Sequence, residues 1–118
     1  MSTQETVQKA QGYIKEFSYR RIPMGLTTEG KEIFDDVLSR AVVDAETRLT
    51  DGKSVSDFLS DVYITARRML DLSNKEKGSL DHLFAEQVDI VLNLEFKPFV
   101  EEEVAHREAQ LSTGESRK

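Results

Sequence analysis

Apolar residues recur along most of this chain at intervals of three and four, the pattern of helices that each bury one face. The first stretch runs from about Thr6 to Ser18. Val7, Ala10, Ile14 and Phe17 form one narrow seam there. Gly12 weakens this helix by ~1 kcal/mol against alanine, so it needs a neighbour to pack on. The second stretch, about Thr28 to Leu49, is broader. Ile33, Phe34, Val37, Leu38, Ala41, Val42, Ala45 and Leu49 share a face. Thr27 or Thr28 can cap it, because a hydroxyl accepts from a free N–H of the first turn. Glu29 and Glu32 suit the positive end of its dipole. Thr50-Asp51-Gly52 closes it, with Gly52 able to take the left-handed conformation.

The third stretch runs from about Val55 to Leu72. Val55, Phe58, Leu59, Val62, Ala66, Met69 and Leu70 make its apolar face, and Ser54 with Asp57 resembles a capping box. The short connection from Thr50 to Lys53 predicts an antiparallel hairpin of helices two and three. A fourth helix is expected from about Leu80 to Glu95, with two candidate starts, Ser73 with Glu76 or Gly78-Ser79. Leu80, Leu83, Phe84, Val88, Val91 and Leu92 mark its face, and Ile90 and Leu94 widen it. A helix this apolar is expected to be the most buried. Pro98 then kinks that helix or opens a new one carrying Phe96, Phe99, Val100 and Val104 on one stripe.

These elements predict an all-α fold of four to five helices. They form an antiparallel bundle with a C-terminal amphipathic helix after Pro98. Residues 1–110 form a single domain and 111–118 (LSTGESRK from Leu111) a disordered polar tail. The length, 118 residues, suits one domain with a real core. Without cysteine there is no disulfide, thiolate metal site or cysteine nucleophile. No apolar run is long enough for a bilayer, and the N-terminus lacks a signal-peptide pattern. The expected location is the cytoplasm, or a host's cytoplasm if the gene is carried by a phage or plasmid.

Charge changes the picture of what the bundle could bind. The net charge is −6. Residues 1–26 carry four basic and two acidic side chains, whereas residues 76–118 carry five basic and ten acidic. An acidic body repels phosphate backbones unless a basic patch is concentrated, so nucleic acid is disfavoured. The one basic segment is "EFSYRRIPMGLT", Glu16 to Thr27. Its Ile22, Met24 and Leu26 suit a plug on the bundle end around a Pro23–Gly25 turn. Tyr19, Arg20, Arg21 and Met24 suit a contact loop, being residue types enriched at interface hot spots. A second contact candidate follows helix four, where Phe96 and Phe99 would be apolar anchors and Glu101 and Glu102 a negative face.

Candidate chemistry adds little. Glu103 and His106 stand three apart, as in carboxylate di-metal bundles, but His82 lacks the matching glutamate, so neither a metal nor another cofactor is expected. No glycine-rich phosphate loop or nucleophile elbow occurs. The expectation is therefore a small acidic, non-enzymatic protein-interaction module: an adaptor, assembly factor or inhibitor, with a protein partner and homodimer pairing as the second mode of assembly. The alternative is a nucleic-acid-associated protein using Lys15, Arg20, Arg21, Arg67 and Arg68, should the fold gather them.

Overall fold

The computed structural model describes residues 2–20 and 26–116, with the side chains of Ser73 and of residues 112–116 outside that description. Helix α1 spans Thr3–Arg20, α2 Thr28–Glu46 and α3 Val55–Leu70. Helix α4 spans Leu80–Val91 and runs without a break through two widened, π-helical stretches, Leu92–Phe96 and Phe99–Val104, into α5, Ala105–Ser116. No strand occurs among the described residues. The all-α bundle expected from the hydrophobic pattern is the fold observed.

Local chemistry sets the helix ends. The Thr27 hydroxyl accepts from the Gly30 N–H at 3.1 Å and that of Ser54 from Asp57 at 3.1 Å. Ser79 accepts from His82 at 3.1 Å, so α4 uses the second of its two candidate starts. A short 3-10 turn, Leu72–Asn74, occupies the region of the first. Gly52 and Gly78 have φ of +88° and +87°, a conformation that costs a side chain strain and glycine none. Leu26 packs against the core as the plug reading expects, while Ile22, Pro23, Met24 and Gly25 lie outside the described residues.

Helices α2 and α3 form the expected hairpin. Arg48, just past α2, locks it. Its guanidinium donates to Asp44 at 2.7 Å, to Asp61 at 3.0 and 3.2 Å, and to the buried Thr65 hydroxyl at 2.7 Å. These carboxylates raise the Arg48 pKa further above its usual range. Helix α4 returns alongside α3, with Tyr63 meeting Asn93 and Arg67 meeting Asp89. The direction thus alternates along the four helices.

Five rings fill one end of the core. Phe17 stacks on Phe34 at 5.8 Å between centroids and meets Phe96 edge-on at 5.2 Å and Phe99 at 5.3 Å. Tyr13 meets Phe99 edge-on at 6.4 Å. Offset and edge-on arrangements match the quadrupoles of the rings.

Pro98 does not end the helix. Its ring would collide with the carbonyl four residues back in a regular α-helix. The turns widen on either side, with the Lys97 N–H bonding back five residues to Leu92 and that of Ala105 to Val100. Phe96, Phe99, Val100 and Val104, all buried, hold the segment in place. From Leu80 to Ser116 the helix spans on the order of 55 Å at ~1.5 Å per residue. That length sets the 56 Å long dimension of the molecule. The backbone stays helical through residues 111–116, where the sequence reads as a polar tail.

Candidate functional site

Among the described residues, the outward face of α4 groups several exposed large aliphatic side chains on one helix. Ala85, Val88, Val91 and Leu92 point into the core. Leu80, Leu83, Gln87, Ile90 and Leu94 are spaced three, four, three and four, which places them on a second stripe of the same helix. Leu80 is 69% exposed, Leu83 46%, Ile90 48% and Leu94 68%. This corrects the expectation that α4 is the most buried helix. Its neighbours α2 and α3 cover one side, and half of its apolar positions stay in solvent.

The flanks of this stripe are polar. On the α3 side Asp89 accepts from Arg67 at 2.9 Å and from the Asn93 amide at 3.2 Å, and Asn93 in turn accepts from the Tyr63 hydroxyl. Arg67 also lies 5.9 Å over the Tyr63 ring, and its bond to Asp89 raises its pKa. Glu86 lies 3.6 Å from the His82 Nδ1. On the α2 side the Gln87 carbonyl accepts from the Thr27 hydroxyl at 3.3 Å. Gly30 permits this approach, because a Cβ there would lie 3.0 Å from the Gln87 oxygen. The stripe is thus four uncharged aliphatic side chains, with Gln87 turned toward α2, Asp89 paired with Arg67 and Glu86 exposed beside His82.

The residues singled out in the sequence are scattered by the fold. Tyr19 is 76% exposed and Arg20 is exposed, while Arg21 and Met24 lie outside the described residues. Phe96 and Phe99 are core rings, and this corrects their reading as surface anchors: the widened turns around Pro98 aim both into the aromatic cluster. Glu101 and Glu102 are exposed, with Glu101 4.0 Å from Lys97. Lys15 borders a groove of about 510 Å³ between α1 and α2, together with Asp35 and Glu46. Arg67 and Arg68 border a different groove beside Ile64 and Leu72, and Arg67 is held by Asp89. Lys15 thus borders one groove and Arg67 with Arg68 another, while Arg20 lines neither. Glu103 and His106 belong to no set of three or more metal-binding side chains among the described residues.

A polar cluster latches α5 to α1. The Tyr13 hydroxyl donates to Glu108 at 2.9 Å, Lys9 lies 3.8 Å from the same carboxylate, and Arg107 grips both oxygens of Glu16 at 3.0 and 2.8 Å. Burial and the Glu108 carboxylate push the Tyr13 pKa up to about 12. Sequence reading missed this latch and the α4 stripe alike. The stripe had a signal in its heptad spacing, whereas the latch joins residues more than 90 positions apart and had none.

No protein-family model, no curated protein and no solved structure matches this chain.

Proposed function

We propose that the chain is a non-enzymatic protein-interaction module whose contact surface is the outward face of α4. One observation carries this reading. A helix whose inner face already completes the core presents four large aliphatic side chains to solvent in a single stripe. The largest contiguous apolar patch on a protein surface is often functional, whereas scattered single residues carry no such meaning. As part of the same proposal the module acts in the cytoplasm, or in a host's cytoplasm if phage- or plasmid-borne. The placement of Lys15 in one groove and of Arg67 and Arg68 in another weighs against nucleic acid as the partner.

The test is a pull-down from nuclease-treated source-cell lysate with the wild-type chain and with Leu83→Glu/Leu94→Glu. Both positions are exposed, so helicity and melting temperature are expected to hold while specific binding is lost. A variant that keeps every wild-type partner rules out α4 as the contact surface. Loss of all bound protein on nuclease treatment of the wild type would transfer the function to Lys15, Arg20, Arg21, Arg67 and Arg68.

A further inference from the structure

We infer that α5 is a strap closed on α1 by a polar latch, that it undocks as a unit while the bundle stays folded, and that ionic strength sets how often it opens. The inference is independent of the reading of α4 as a contact surface.

Three observations carry it. The first is where the core stops. Val104 is fully buried, and among the described side chains of the long helix it is the last buried one. From Ala105 onward the described side chains are half-buried or exposed, and Leu111 is 52% exposed. A widened stretch, Phe99–Val104, ends at the same point. Such stretches are places where helices bend. The helix up to Val104 is thus tied to the aromatic core, whereas no described side chain of α5 is buried there.

The second is the chemistry of the latch. Arg107 grips Glu16 with side chains 42% and 28% exposed, and Lys9, 45% exposed, lies 3.8 Å from Glu108. Partly exposed ion pairs shift an equilibrium by about fivefold at most. They weaken with salt, as the screening length falls from ~10 Å at 0.1 M to ~3 Å at 1 M. The Tyr13–Glu108 bond is more sheltered, since Glu108 is 15% exposed. A hydrogen bond to a charged group shifts an equilibrium by about tenfold or more. The latch therefore has a salt-sensitive part, Lys9, Glu16 and Arg107, and a sheltered part, Tyr13 with Glu108.

The third is how little α5 has of its own. It is 12 residues long and includes Gly114. Glycine weakens a helix, and short helices owe most of their stability to packing. Opening therefore releases the backbone hydrogen bonds of α5 to exchange with water. It also uncovers the side of α1 that carries Lys9, Tyr13 and Glu16. That side is offered only when the strap is open, whereas the α4 stripe is exposed in both states.

Native-state hydrogen exchange of the full chain, read by mass spectrometry at one pH in low and high sodium chloride, tests the inference. In low salt, peptides covering residues 107–116 should be protected, yet exchange at least about tenfold faster than those covering α4. Raising the salt from about 0.05 to 1 M should speed exchange of 107–116 several-fold and leave α4 unchanged. Glu16→Arg should speed exchange of 107–116 by about fivefold in low salt, and Glu16→Arg/Arg107→Glu should return it to within about twofold of the wild type. Tyr13→Phe should speed it by about tenfold and leave the salt response intact. The wild type alone keeps the test decisive if a variant folds poorly. Exchange of 107–116 at the rate of α4 overturns the inference, because α5 would then open only with the whole bundle. Full exposure of 107–116 in low salt overturns it too, since the strap would never be closed. A rate indifferent to salt, or a charge swap that fails to restore protection, removes the latch as the cause of closure.

Discussion

Phe96→Ala separates the two positions that the sequence and the structure assign to this ring. As a surface anchor it could be truncated with an effect within about 0.5 kcal/mol on stability. In the structure it is fully buried, edge-on to Phe17 at 5.2 Å and within 6.5 Å of Phe34 and Phe99. Losing the transfer free energy of a large buried side chain costs about 2–3 kcal/mol. The cavity left among three other rings adds to this, giving the ~3–5 kcal/mol typical of buried Phe→Ala changes. Against a domain stability of ~5–15 kcal/mol, that is a large fraction of the total.

Urea unfolding followed by far-UV circular dichroism reads the effect directly. With a slope of ~1–3 kcal/mol per molar urea, the midpoint should fall by about 2 M at unchanged slope. The melting temperature should drop by roughly 10–25 °C. Val43→Ala is the matched control: Val43 is 65% exposed, and its truncation should stay within about 0.5 kcal/mol. A loss below about 1 kcal/mol for Phe96→Ala, at the slope of the wild type, would refute the buried position of the ring and with it the continuous helix through Pro98.

Two further outcomes follow from the same long helix. Tyr13 has its pKa raised from about 10 to about 12 by burial and by Glu108, so between those values the folded chain holds a proton that the unfolded chain releases. Stability from this group is complete below pH 10 and is lost as pH rises toward 12, so Tyr13→Phe should flatten the alkaline melting profile, and an unchanged profile would remove the latch from the account. Pro98→Ala restores an N–H and removes the ring; it should raise stability by roughly 1 kcal/mol, part of the ~3 kcal/mol cost of interior proline already being relieved by the widened turns. A fall in the urea midpoint would show that those turns stabilise the aromatic cluster.

The parts of the fold legible in the sequence are those fixed by neighbours in the chain. Thr27, Ser54, Gly52 and Gly78-Ser79 act within four residues of themselves, and each does in the structure what its chemistry allows. The parts that were not legible depend on what lies across the molecule. Pro98 reads as a kink or a new helix start because its local cost is real, yet Phe96 and Phe99, both buried, lie on a helix that continues through it. Tyr19, Arg20 and Arg67 were singled out by residue type, which carries no information on proximity, and Asp89 claims Arg67 for the bundle itself.

Helix α4 shows why residue type alone misleads. Counting its apolar positions predicts burial all round, but a helix at the side of a bundle has only one inward side. Its leucines divide by phase rather than by chemistry. Val88, Val91 and Leu92 fall on one seam, and Leu83, Ile90 and Leu94 on another. An aliphatic side chain gains only when another apolar surface meets it, at ~25 cal/mol per Å² of area removed from water. The inner seam obtains that surface from α2 and α3. The outer seam, with its own spacing, obtains it only when a second surface arrives. The physical case for an interaction module therefore lies in the half of α4's pattern that folding leaves unused.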